Sequence, residues 1–389
     1  MHGDRYQFTA GNRVELLETG GEYFPALCRA IEEAQLEVHL ETYIFADDPT
    51  GQRVAEALSH AARRGVRVLV LVDGFGGKGF AGTLAPKMIR AGVEVRVFRP
   101  NISPLTLRRH RLRRLHRKVV VVDGALAFIG GINIIDDTHT SGQIPPRYDY
   151  AVAVRGPVVD DVLHSLRRLW ALVNWASLQK REPMIGQAPV DARVAGDMEA
   201  RYVVRDNIRH WRDIEEAYLE AIASAREEVI LANAYFLPGL RFRHALLAAS
   251  ARGVRVTLLL QGRMEYLLFH FATRALYDYF LAGGVHILEY HKSFLHAKVA
   301  VVDGRWATIG SSNIDPFSLL LAREANVVVR DEGFAGRLRA SLQQAMDSGA
   351  KELQGEDWKH RSLLWRALNW LAYGLVRAMV GLAGQGGRN

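Results

Sequence analysis

The run His116-Arg117-Lys118, four residues, Asp123, six residues, Gly130-Gly131-Ile132-Asn133 returns 180 positions later. There it reads His296-Ala297-Lys298, four residues, Asp303, six residues, Gly310-Ser311-Ser312-Asn313. Two copies with every internal spacing kept imply a chain built as two related halves that serve one chemistry. In Leu115 to Asp123 the run Val119-Val120-Val121-Val122 reads as a buried strand. Residues two apart on a strand share a face, so His116 and Lys118 project together, as do His296 and Lys298.

An imidazole that attacks or moves a proton, beside an ammonium that neutralises oxygens, suits a phosphate ester. Displacement at phosphorus is in line, with nucleophile and leaving-group acid on opposite sides, and a duplicated half-site meets that demand. The turns at Gly130-Gly131 and Gly310-Ser311-Ser312-Asn313 follow the next strand and offer N–H, hydroxyl and amide groups to phosphate oxygens.

The repeat extends beyond the motifs. Ala26 to Asp73 reads helix, strand, helix, strand, and Ala217 to Gly262 repeats that order. Continuous apolar strands separated by helices predict an α/β fold of two homologous halves, each a mixed, mostly parallel sheet covered on both faces. The offset between halves is 192 at Tyr43 and Tyr235 but 180 at the motifs, so twelve additional residues lie between Val97 and His116.

The twin pattern resembles the phospholipase D superfamily, in which two such motifs meet in one active site. Flanking segments resemble bacterial cardiolipin synthases, most closely the B type: Leu40-Glu41-Thr42-Tyr43-Ile44-Phe45, Arg114-Leu115-His116-Arg117-Lys118, Ala232-Asn233-Ala234-Tyr235-Phe236 and Ser311-Ser312-Asn313-Ile314-Asp315-Pro316. The resemblance runs from about Asn12 to about Asp347. It implies phospholipase D-like α/β/α halves, placed at 1–178 and 197–350, with the active site at their interface; the polar stretch 179–196, with Pro183 and Pro189, reads as the linker between them.

As site residues it implies His116, Lys118, Asp123, His296, Lys298 and Asp303, with Asn133, Asn313 and Ser311 on the phosphate. An acid that follows the motif and orients the catalytic imidazole is also implied. Glu324 keeps the family spacing; Asp149 lies further from its motif because Thr138 to Arg147 adds a loop. Whether Asp123 and Asp303 act on reacting groups or fix a turn stays open at this point.

Net charge is +8, and Arg108, Arg109, Arg111, Arg113, Arg114 and Arg117 crowd the approach to the first motif. This arm at 108–117 is read as binding an anionic membrane surface, each exposed cation contributing on the order of 1 kcal/mol. From Ser362 to Ala383 a second lipid-directed segment follows. Arg366, Asn369, Tyr373 and Arg377 form a polar stripe, opposite Leu364, Trp365, Leu368, Leu371, Leu375 and Met379. The tail 351–389 is read as an amphipathic helix in the membrane interface, with Trp365, Arg366 and Arg377 among its lipid-binding residues, against the alternative of a helix packed on the protein's own surface.

No secretory signal or disulfide framework is legible, Cys28 being the single cysteine, so a peripheral position on the cytoplasmic face of a bacterial membrane is expected. Gly74-Phe75-Gly76-Gly77-Lys78-Gly79 matches a dinucleotide fingerprint but lacks a fitting downstream acid and is read as a turn near the site mouth. His39, His60, His139, His244 and His286 have no partner pattern, and Trp211 and Trp306 read as packing residues.

The expected reaction is phosphatidyl transfer between two phosphatidylglycerol molecules through a phosphohistidine, with no metal or other cofactor and no nucleic-acid partner. A lipid hydrolase, a nuclease and a noncatalytic lipid-binding scaffold are the rival readings. Sequence assigns no oligomeric state.

Overall fold

The computed structural model describes residues 7–100, 113–138, 144–176, 189–191, 193–206, 210–316, 318, 322–355 and 362–384. The first half runs β1 (Thr9–Glu18), α1 (Thr19–Glu33), β2 (Glu37–Thr42), α2 (Pro49–Arg63), β3 (Arg67–Asp73), α3 (Leu84–Arg90) and β4 (Glu94–Phe98). It continues with β5 (Lys118–Val122), β6 (Leu126–Gly130), β7 (Arg147–Tyr148), β8 (Tyr150–Arg155) and α4 (Val158–Ala176).

The second half repeats the plan with β9 (Met198–Arg205), α5 (Asp213–Ser224), β10 (Glu228–Asn233), α6 (Leu240–Ala251), β11 (Arg255–Gln261), α7 (Leu267–Arg274), α8 (Tyr277–Ala282) and β12 (His286–Tyr290). There follow β13 (Phe294–Leu295), β14 (Lys298–Val302), β15 (Trp306–Gly310), β16 (Glu324–Arg330), α9 (Glu332–Gly349), β17 (Ala350–Glu352) and α10 (Leu363–Gly384).

Among the described residues one sheet of 15 strands joins both halves, in the order β17-β12-β11-β10-β14-β15-β16-β9-β1-β8-β6-β5-β2-β3-β4. Within this sheet parallel pairing is confined to β2–β3–β4 and β10–β11–β12, where helices make the crossovers. Every other neighbouring pair in this sheet is antiparallel, which corrects the expectation of mostly parallel sheets.

The reason lies in the motifs themselves. Asp123-Gly124 and Asp303-Gly304 take positive φ in succession and turn β5 into β6 and β14 into β15 as tight hairpins, leaving no room for a helical crossover.

The halves share a core. Val119, Val121, Ile129 and Val152 of the first pack with Val299, Val301, Ile309 and Val327 of the second, under Leu163 of α4 and Leu338 of α9. The sheet curls so that β6 and β8 come within 8 Å, Cα to Cα, of β15. This closure brings the starts of β5 and β14 together.

Each outer face has its own core. Helices α1, α2 and α3 cover Val38, Val70 and Val120 in the first half; α5, α6 and α10 cover Leu231, Leu258 and Ala300 in the second.

Candidate active site

His116 and His296 stand one residue pair ahead of Lys118 and Lys298, at the points where β5 and β14 begin. The backbone there is held from the opposite half. His116 N–H donates to Arg323 C=O at 2.9 Å, and His296 N–H donates to Tyr148 C=O at 2.8 Å.

The next residue after each of those carbonyls is the orienting acid. His116 Nδ1 lies 2.9 Å from Glu324 Oε1, and His296 Nδ1 lies 2.6 Å from Asp149 Oδ2. The acids are therefore exchanged: each follows one motif and holds the imidazole of the other.

A carboxylate only accepts, so each Nδ1 carries the proton and each Nε2 presents a lone pair. Burial holds the His116 imidazole below its usual range against the opposing pull of Glu324. Burial, then Lys298 and Arg147, hold His296 well below it. Two neutral imidazoles result, the form needed in a nucleophile or a base.

The lysines are fully enclosed. Burial, opposed by Glu324 and reinforced by Lys298, pushes Lys118 down to about 7. Burial, opposed by Asp149 and reinforced by Arg147, pushes Lys298 down to about 8. Lys118 Nζ donates to His116 C=O at 2.5 Å, and Lys298 Nζ lies 3.5 Å from Asp149 Oδ2. Two cations crowd a dry site, and an anion between them would relieve the cost.

The glycine-serine difference between the motifs fits the acids. A Cβ at Gly131 would sit 2.3 Å from Asp149 Oδ1, so the short aspartate needs glycine there. Ser311, the equivalent residue, donates its hydroxyl to Glu324 Oε2 at 2.5 Å. The hydroxyl expected on phosphate is thus spent on positioning Glu324. Asn133 Oδ1 accepts from Ile44 N–H at 3.2 Å, which directs its NH₂ elsewhere, while the Asn313 Oδ1 is buried with no protein partner.

Asp123 and Asp303 stand away from the motif histidines and cap backbone turns. Asp123 accepts from the N–H groups of Gln35, Leu36 and Glu37, and Asp303 from those of Arg226, Glu227 and Glu228, all at 2.8 or 2.9 Å. Each lies five residues beyond its lysine at the far end of the strand, about 16 Å away at strand rise. A concavity of about 840 Å³ at that end, bounded by Asp303, Trp306 and Arg330, is correspondingly remote from the motif histidines.

Arg117 leaves the arginine arm. Its guanidinium is buried, paired with both Glu41 oxygens and donating to Ser165 Oγ at 2.7 Å, because it points to the face of β5 opposite His116 and Lys118. Arg114 lies 3.5 Å from Asp73, and Arg113 is half-buried. Arg108, Arg109 and Arg111 lie outside the described residues, as do most of the linker and His139.

The tail helix α10 packs on the second half with Asn369 of its polar stripe turned inward. Asn369, Ala372 and Val376 are buried, Arg366 pairs with Asp278 at 3.1 Å, and Trp365 packs against the second-half core; Arg377 is exposed. Leu364, Leu368, Leu371, Leu375 and Met379, spaced four, three, four and four, face outward with Trp370. No helix among the described residues is long and apolar enough to cross a membrane.

Several site residues escaped sequence reasoning. Tyr43 stands edge-on to His116 at 4.9 Å between ring centroids, with the Lys118 ammonium 5.5 Å from its centroid. Asp73 accepts from Leu115 N–H at 2.8 Å and so anchors the residue before His116. Phe294 stacks on His296 at 6.1 Å, and Arg147 stands 5.1 Å over Phe294. The two-residue period of the strand leading into Asp149 was the available signal for Arg147.

The Gly74–Gly79 turn passes under this mouth: a Cβ at Gly76 would meet Tyr43 C=O at 2.3 Å. His39 is a core residue, edge-on to Trp170, held down to about 3 by burial. Trp306 is buried, whereas Trp211 is half-exposed under Arg212.

Comparison with known proteins follows the same lines. Residues 27–165 and 218–346 match the family described as cardiolipin synthase, phospholipase D-like domain. Cardiolipin synthase B of Escherichia coli K12 is 41% identical over 341 residues, covering 85% of this chain and 80% of that protein. Cardiolipin synthase B of Salmonella typhimurium is 38% identical over 384 residues, covering 96% and 90%. The crystal structure of phosphatidylserine synthase from Haemophilus influenzae superposes with a TM-score of 0.71 at 12% identity, over 96% of this chain and 95% of that one, a likeness of fold.

Proposed function

The chain belongs to the cardiolipin synthases of the phospholipase D-like family, and from that premise we propose that it transfers a phosphatidyl group between two phosphatidylglycerol molecules. The observation that carries the reading is the crossed pairing of His116 with Glu324 and His296 with Asp149. It supplies two neutral imidazoles, both with Nε2 available, at one anion-seeking centre.

In the first step His116 Nε2 attacks phosphorus and the phosphorus–oxygen bond to glycerol breaks; His296, which takes up a proton at Nε2 when the anionic lipid binds beside it and regains one in the second step, gives that proton to the departing oxygen. In the second, His296 Nε2 takes the proton from a hydroxyl of the second lipid. That oxygen bonds to phosphorus, and the bond to His116 breaks. Lys118 and Lys298 neutralise the non-bridging oxygens, with Asn133 and Asn313 as further ligands. One phosphodiester replaces another, so no energy source enters the balance. Assigning attack to His116 rests on Tyr43, which packs against its ring and walls off one side.

The protein works as a peripheral membrane enzyme in this reading. The outward row of α10 supplies apolar side chains worth on the order of 1 kcal/mol each on insertion, and a net charge of +8 favours an anionic leaflet.

The test is purified full chain on phosphatidylglycerol vesicles, with lipid products separated by chromatography. Cardiolipin with an equal amount of glycerol is expected; phosphatidic acid alone would overturn the reading. Deletion of residues 362–389 is expected to reduce co-sedimentation with vesicles.

A further inference from the structure

The two half-sites differ in charge beside the imidazole. Arg147 lies two residues before Asp149 and therefore on the same strand face as the carboxylate that holds His296. Its strand β7 pairs with β13 in register, Arg147 against Phe294. The guanidinium stands 5.1 Å over the Phe294 ring, and that ring lies 6.1 Å from His296 at 25°. A cation is thus fixed one ring away from the imidazole that handles the acceptor hydroxyl. The corresponding position before Glu324 is Ala322, so His116 has no such neighbour on its acid strand.

The chemistry of the two steps differs in the same sense. The alcohol released in the first step is glycerol, which is neutral, and the water of a competing hydrolysis is neutral too. The acceptor phosphatidylglycerol alone carries a second phosphodiester, three carbons from the hydroxyl that reacts. We propose that Arg147 binds this unreacting phosphate, forming an acceptor subsite that favours transfer to an anionic lipid over transfer to water. The assignment rests on the reading of His296 as acid and base above.

The surroundings suit a lipid rather than a free anion. Tyr235 lies 5.8 Å from Tyr266 and 6.0 Å from Phe269, and Met264, Tyr266 and Leu267 are exposed beside them. Glu265 on this rim is engaged by the Tyr235 hydroxyl. This apolar edge leads into α7, the helix on which α10 packs with its own leucines outward. The Arg147 charge reaches both Tyr235 and Tyr266, which puts this aromatic edge on its side of the site.

The experiment compares Arg147→Ala and Arg147→Lys with the natural chain on phosphatidylglycerol vesicles containing ethanol as a neutral acceptor. Cardiolipin, phosphatidylethanol and phosphatidic acid are measured together. The ratio of cardiolipin to phosphatidylethanol is expected to fall about tenfold or more in Arg147→Ala, the loss of one charge-assisted contact, and to recover in part in Arg147→Lys. An unchanged ratio, or a parallel loss of all three products in both variants, would overturn the subsite. Failure of the natural chain to make cardiolipin would instead sink the functional reading itself.

Discussion

The first and second half-sites share a skeleton and differ in what stands behind it. Behind β5, Arg117 is locked to Glu41 and Ser165; at the matching places of β14 and β10 the chain has Ala297 and Ala232, both in the shared apolar core. At the acid, the first motif pairs glycine with Asp149, whereas the second pairs Ser311 with Glu324. Beside the imidazole, Tyr43 edges His116 while Phe294 stacks on His296 under Arg147. Duplication has kept the parts that meet phosphorus and let the supports diverge, so equivalent histidines have come to sit in unequal surroundings.

The exchange of acids gives the largest effect by which this comparison can be broken. Glu324→Gln is expected to suppress attack by His116 and so formation of the covalent intermediate, and Asp149→Asn to slow both glycerol release and transfer to the second lipid, each lowering kcat about 10³–10⁴-fold. Rapid-quench measurement of the two steps distinguishes them. Had each acid served its own motif, the two phenotypes would be interchanged.

Next in size is the buried ion pair. Glu41→Ala leaves the Arg117 guanidinium buried without its carboxylate and is expected to cost about 3–5 kcal/mol in denaturant titration, while Glu41→Ala with Arg117→Ala, which copies the second half, should recover most of that loss. An equal loss in the double variant would show that the pair is not the operative difference.

Smaller again are the turn aspartates. Asp123→Ala and Asp303→Ala each remove an acceptor for three backbone N–H groups and are expected to lower stability by roughly 1–2 kcal/mol, with kcat changed far less than by either acid variant. A loss of kcat as deep as that of Glu324→Gln would return them to the chemistry.

The mildest expectation concerns pH. A lysine held below its usual value loses its charge as pH rises through the lowered value, so Lys118 is discharged first, near 7, and Lys298 near 8. KM for the anionic lipid should therefore climb severalfold between pH 7 and 9, and Lys118→Arg should flatten the climb because a guanidinium stays charged. A flat KM in the natural chain would contradict this ordering.

Much of the site could be read from spacing alone, because His116, Lys118, His296 and Lys298 need only strand periodicity to be placed on shared faces. The exchange of Glu324 and Asp149 could not, since it depends on how β7 and Arg323 cross to the opposite motif. Sequence matching also paired Tyr43 with Tyr235, yet hydrogen bonding runs one residue out of step: Phe45 bridges Ile134 as Phe236 bridges Ile314. One residue reverses the face of a strand, which is why only Tyr43 reaches a motif histidine. The tail shows the same limit. Its stripe was legible, but the buried side was decided by a partner, the pairing of Arg366 with Asp278 and the packing of Ala372 and Val376, which periodicity does not reveal.

The division of labour between unequal histidines is tested most directly by trapping the intermediate. The full chain, turning over phosphatidylglycerol labelled in its phosphate, is quenched under alkaline denaturing conditions that preserve phosphohistidine, and the labelled peptide is mapped. Label on Nε2 of His116 is the predicted result; label on His296 would contradict the account.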